Sequence, residues 1–72
     1  MKGKSSFSPA EAARVRDLLR EVRAAERDAQ KKLQDRLRVD VRFYISDFTR
    51  SNADFTVADF DSLVEQGAIK IV

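Results

Sequence analysis

Four carboxylates in the C-terminal part of the chain, Asp47, Asp54, Asp59 and Asp61, come nearest to residues whose type and spacing could do chemistry. Two of them open Asp-Phe-Thr repeats, Asp47-Phe48-Thr49 and Asp54-Phe55-Thr56. Paired carboxylates can hold Mg²⁺ for phosphoryl chemistry or divide general-acid and general-base work. Either use needs basic or aromatic groups converging on a pocket of roughly 300 Å³ or more, which a chain of 72 residues has little room to build. Histidine and cysteine are both absent, which excludes thiol nucleophiles, disulfides, zinc fingers and iron–sulfur ligation. A Ser–Lys pair is available only from Lys4, Ser5 and Ser6, in a stretch expected to be a flexible basic tail (residues 1–6) that cannot preorganise a nucleophile. Counted from Asp47 as a calcium loop, position 6 is Asn52 where Gly is required and position 12 is Ala58 where Glu is required. The chain therefore reads as a non-enzyme that needs no cofactor or metal and takes no small-molecule substrate.

The second Asp-Phe copy has a local explanation. Thr56 is placed to cap a helix, Asp59 to complete a capping box three residues later, and Phe55 and Phe60 to form the hydrophobic staple around it. The same grammar opens the chain's first helix. Ser8 is the cap, Pro9 the first helical residue, Glu11 the box partner, and Phe7 and Ala12 the staple. Asp47-Phe48-Thr49 starts no such helix. Together with Tyr44 and Arg50, Asp47 and Phe48 are the candidate residues for a protein partner.

Charge is unevenly distributed. Residues 1–42 carry 12 Lys and Arg against 7 Asp and Glu (+5), and residues 43–72 carry 2 against 5 (−3), which sums to the net +2. On one continuous helix Arg16, Arg20, Arg23, Arg27, Lys31 and Arg38 fall on one flank, and Asp17, Glu21, Asp28 and Asp35 on the opposite one. The basic row is the candidate surface for an anionic partner, either a nucleic-acid backbone or the acidic row of another chain. Aromatics do not interleave with it, and Asn and Gln for reading base edges are scarce along it. Ser62-Leu-Val-Glu-Gln-Gly-Ala-Ile-Lys-Ile71 resembles the helix–Gly–strand exit of winged helix-turn-helix domains, which implies a DNA-reading helix. Asp59, Asp61 and Glu65 on that helix are of the wrong charge for a major groove, and no second wing strand follows.

The elements follow from periodicity. Pro9 to about Leu37 contains no Gly and no further Pro, and Val15, Leu18, Leu19, Val22, Ala25, Ala29, Leu33 and Leu37 recur at three- and four-residue steps. This predicts one long helix. Val39, Val41, Phe43 and Ile45 alternate with polar residues and predict a strand over 39–46. Residues 47–55 read as a polar loop around Arg50-Ser51-Asn52. A second helix follows from about Val57 to Gln66, Gly67 stands as its left-handed cap, and residues 68–72 form a short strand. The expected fold is α+β in the order α-β-α-β, a single domain over 7–72. Its two strands, if neighbours, run parallel.

A helix of about 29 residues spans roughly 43 Å, more than a compact chain of this size can cover. Association through Val15, Leu18, Val22, Ala25, Ala29 and Leu33 is therefore expected to complete the fold as a homodimer. No apolar run reaches the roughly 20 residues of a bilayer span, and residues 1–6 have no signal-peptide character. The sequence thus predicts a soluble cytoplasmic module, homodimeric, that binds a protein partner. The alternative is a nucleic-acid-associated regulator using the basic row.

Overall fold

The computed structural model describes residues 2–50 and 55–72. Its elements in chain order are β1 (Ser6–Phe7), α1 (Pro9–Ala24), α2 (Arg27–Val41), a 3₁₀ turn (Ile45–Asp47), α3 (Val57–Glu65) and β2 (Lys70–Ile71). The fold is small and mixed, three α-helices with one two-stranded parallel sheet.

The expected long helix is a helical hairpin instead. Ala25 and Glu26 leave helical space, at φ −92°, ψ 156° and φ −68°, ψ 163°. An unbroken helix of roughly 43 Å would exceed the molecule's longest dimension of 32 Å. Turning at residue 25 folds the second half of the apolar stripe onto the first. Ala12, Val15, Leu18, Leu19 and Val22 of α1 are then buried together with Leu37 and Val41 of α2. Backbone carbonyls freed by the break are satisfied by a side chain from the next turn. Gln30 Nε2 donates to the carbonyls of Val22 at 3.0 Å and Ala25 at 3.2 Å. Glu26, which on one continuous helix would fall near the centre of the apolar stripe, is the N-cap residue of α2 and lies exposed at the hairpin tip.

The strand predicted over 39–46 is not formed. Residues 39–41 complete α2, which ends where Arg42 adopts a left-handed conformation (φ 54°, ψ 35°). The Arg42 and Phe43 N–H groups both donate to the Leu37 carbonyl. The alternation still reports burial: Val41, Phe43 and Ile45 point into the core. Val39 does not, being 78% exposed on the outer side of α2. A buried period-two face needs a neighbouring strand before it becomes one itself, and the backbone bond that residues 42–46 make to a segment distant in sequence, among the described residues, is the Lys4 N–H donating to Arg42 O at 3.1 Å.

The missing strand comes from the segment expected to be a free tail. Ser6 pairs with Lys70 and Phe7 with Ile71 in a parallel register. The Lys70 and Val72 N–H groups donate to the carbonyls of Ser5 and Phe7 at 2.8 and 2.9 Å. Parallel pairing of the C-terminal strand holds, but its partner is β1. That pairing also differs from a wing, whose two strands would be an antiparallel hairpin.

Both capping boxes are present. The Ser8 hydroxyl accepts from the Glu11 N–H and the Glu11 carboxylate accepts from the Ser8 N–H; Thr56 and Asp59 repeat the arrangement. Gly67 (φ 83°) ends α3, with its own N–H donating to Val64 O and the Ala68 N–H to Leu63 O. This is the two-bond Schellman closure that a left-handed residue after a helix allows.

All five phenylalanines of the chain meet in one cluster. Phe43 is its hub, with ring centroids 5.6 to 5.8 Å from Phe7, Phe48, Phe55 and Phe60. Edge-to-face pairs (Phe7, Phe60) and one stacked pair (Phe48) are the geometries that the ring quadrupole favours.

Candidate functional site

Of the four carboxylates singled out in the sequence, the three that are described, Asp47, Asp59 and Asp61, serve three separate contacts. Asp47 is engaged with the N-terminal segment: Oδ1 accepts from the Lys2 N–H and Oδ2 from the Gly3 N–H, each at 2.9 Å. Those two backbone donors, Lys2 first and Gly3 next, hold its carboxyl below the usual aspartate range. Asp59 serves the α3 capping box, and Asp61 Oδ1 accepts from Arg16 Nε at 3.0 Å. Asp54 lies outside the described residues, as do Ser51 and Asn52 of the predicted loop. Among the described residues, no group of three or more carboxylates is placed to hold a metal ion.

Asp47-Phe48-Thr49 therefore has a structural explanation of its own. The carboxylate clamps the segment that supplies β1, and Gly3 makes the clamp possible. A Cβ at Gly3 would come within 2.3 Å of the Arg42 carbonyl oxygen and 2.6 Å of Tyr44 Cδ1. Lys4 strengthens the same segment by bonding Glu11 at 2.6 Å and lying over the Phe7 ring at 5.2 Å. The Lys4 ammonium and the Ser8 N–H hold the Glu11 carboxyl below its usual range.

The basic row is divided by the hairpin. Arg16 packs over the Phe60 ring, 5.3 Å from its centroid, while bonded to Asp61, so it ties α1 to α3. Arg20 pairs with Asp17 and Arg38 with Asp35, both three residues apart on their helices. Arg23, Arg27 and Lys31 are exposed around the hairpin tip, among Glu21, Glu26 and Asp28, with no ion-pair partner among the described residues. The row of six along one helix thus becomes three cations without a partner among the described residues, with three acids interspersed.

The expected association face is likewise redistributed. Val15, Leu18 and Val22 are at most 3% exposed within this one chain, and Leu33 packs at the edge of its core. Ala25 lies in the turn and Ala29 is exposed. The stripe is covered by its own second half, which removes the overhanging helix as the reason to require a second chain.

Of the candidate protein-partner residues, Asp47 is committed to the clamp and Tyr44 is half-buried beside Gly3. Arg50 is exposed. Phe48 stacks on Phe43 at 16° between ring planes and keeps its outer side at the edge of a groove. That groove, about 440 Å³, is lined by Phe48, Thr49, Phe55, Asp59, Ser62, Leu63 and Gln66. The 3₁₀ turn and the start of α3 bring the two phenylalanines together, and successive turns of α3 supply Asp59, Ser62, Leu63 and Gln66 at helical spacing. Its floor is aromatic and aliphatic, and its rim is polar with one acid, Asp59. Across residues 43–66, Arg50 is the one cation against five acids. The sequence reading placed Phe55 in the hydrophobic staple of the second helix and so did not find the groove. The available signal was a pair of phenylalanines flanking a polar loop before an amphipathic helix.

Comparison with protein-family models, with curated proteins and with solved structures found no match to this chain.

Proposed function

We propose that the protein is a non-enzymatic interaction module that docks a protein partner in the groove between the 3₁₀ turn and α3. The observation that carries this reading is the groove itself: Phe48, Phe55 and Leu63 form an apolar floor inside a rim of Thr49, Asp59, Ser62 and Gln66. An apolar floor desolvates one anchoring side chain of a partner, and such anchors contribute most of the affinity at protein interfaces. The acidic rim selects an anchor with Lys or Arg beside it. In this role the aromatic cluster holds Phe48 and Phe55 rigid, and the capping box fixes the start of α3 that carries the rim.

The alternative, a nucleic-acid-associated regulator, rests on Arg23, Arg27 and Lys31 at the hairpin tip. Three phosphate contacts give weak, strongly salt-dependent binding, and the neighbouring Glu21, Glu26 and Asp28 reduce it further.

A peptide-display selection against the full chain, counter-selected on Ser62→Arg, tests the proposal. The expected enrichment is one apolar residue flanked by basic ones. Peptides enriched equally on both proteins, or none enriched, refute it. Retention of mixed duplex or single-stranded probes that falls steeply between about 50 and 200 mM salt would favour the alternative.

A further inference from the structure

Resting on the groove as a docking site, we propose that one occupant is a second copy of this chain, inserted through Val39 of α2 in a head-to-tail contact. Val39 is the most exposed large apolar side chain of the described residues, 78% accessible, and so does not occupy its own chain's groove. It stands on a helix whose remaining outward residues are polar or small. An isolated exposed valine is ordinary; one with the cations Lys32 and Arg36 on its helix face, on a chain that also carries an apolar groove with Asp59 at its rim, is complementary to that groove.

Charge supports the pairing. Around Val39 the acids are already neutralised within the chain, Asp35 by Arg38 and Asp40 by Arg14 at 3.5 Å. Lys32 and Arg36, two turns and one turn earlier on the same helix, have no ion-pair partner among the described residues. They are left to meet Asp59 at the groove rim and Glu65, which is exposed on α3. The segregation of +5 in residues 1–42 from −3 in residues 43–72 is what such a contact would use: the positive half of one copy faces the negative half of the next. Where the contact runs one way from copy to copy it is heterologous and its repetition gives a ring or an open filament, whereas a pair that seats each knob in the other's groove closes as a two-fold dimer.

Sedimentation velocity on the full chain, on Val39→Asp, on Ser62→Arg and on an equimolar mixture of the two variants tests this. Both substitutions lie at exposed helix positions. The wild type is expected to form species larger than 8.2 kDa that grow with concentration up to about 1 mM and dissociate as salt is raised. Each variant alone is expected to remain at 8.2 kDa. The mixture is expected to form a dimer and nothing larger, because only the groove of Val39→Asp and the knob of Ser62→Arg are intact. A wild type that stays monomeric, variants that associate like it, or a mixture that fails to pair would each overturn the inference. If the wild type is monomeric while display selection still enriches groove-binding peptides, the second copy is excluded and the docking function stands. If both fail, the groove is not a binding site.

Discussion

Phe43→Ala is the most demanding test of the packing that holds the groove in place. Phe43 is fully buried and touches the other four phenylalanines, two of which, Phe48 and Phe55, form the groove floor. Truncating a buried Phe to Ala typically costs about 3–5 kcal/mol in lost burial and cavity. The lost ring pairs, each worth about 0.5–1.5 kcal/mol beyond area, place this site at the upper end of that range. A 72-residue domain has a total stability of roughly 4–11 kcal/mol at about 0.05–0.15 kcal/mol per residue. The variant should therefore lose about half its stability or more. Its thermal midpoint should fall by at least about 12 °C, at about 4 °C or more per kcal/mol for a domain this size. Phe48→Ala removes a half-buried ring with one aromatic partner among the described residues, and should cost about 1–2 kcal/mol. Urea unfolding followed by circular dichroism on both variants gives the comparison. Equal losses, or a Phe43→Ala loss below about 1.5 kcal/mol, would show that Phe43 is not the hub of the core.

Other outcomes follow from single contacts. Gly3→Ala should displace residues 2–5 and raise amide exchange at Lys70 and Val72, because the added Cβ meets backbone at Arg42 rather than a movable side chain; unchanged protection would contradict the clamp. Asp47 and Glu11 both have folded pKa values below their ordinary values of 3.8 and 4.5. In that window the unfolded chain binds more protons, so their stabilisation is complete at neutral pH and is lost as pH falls below about 5. Asp47→Asn should flatten the acid limb of the stability profile, and an unaltered limb would show that Asp47 does not contribute. Gln30→Ala leaves the Ala25 carbonyl to water and the Val22 carbonyl with the Ala25 N–H alone, and should cost about 1 kcal/mol by chemical denaturation. Thr56→Ala should cost about 0.5–2 kcal/mol through loss of the α3 cap, with Thr56→Ser restoring most of it.

Local grammar was legible in the sequence and long-range pairing was not. Both capping boxes, the Gly67 closure, α3 and the C-terminal strand follow from residues within five positions of one another, where propensity and hydrogen bonding decide. The hairpin break was hidden because Ala25 and Glu26 are good helix formers and no Gly or Pro marks the turn. What decided it was burial of Leu37 and Val41 against α1, a tertiary gain that no helical window contains. Glu26 at the centre of the apolar stripe was the one local sign of it. The period-two pattern of Val41, Phe43 and Ile45 reported a buried face correctly but said nothing about a neighbouring strand. That neighbour role went to β1, which pairs with β2 from more than 60 residues away. Asp47 looked available for a partner because its two donors are backbone amides of residues 2 and 3, which leave no trace in side-chain pattern. The groove was half visible: Phe48 was singled out, whereas Phe55 and Leu63 also serve the core.

The groove's role as the docking surface is tested most directly by the affinity of a display-enriched peptide for three forms of the full chain: wild type, Ser62→Arg in the groove and Arg27→Glu at the hairpin tip. The expected result is a loss of about tenfold or more for Ser62→Arg, equivalent to about 1.4 kcal/mol, with Arg27→Glu within about twofold of wild type. The reverse order, with Arg27→Glu abolishing binding and Ser62→Arg leaving it intact, would place the binding surface at the basic tip and contradict the account.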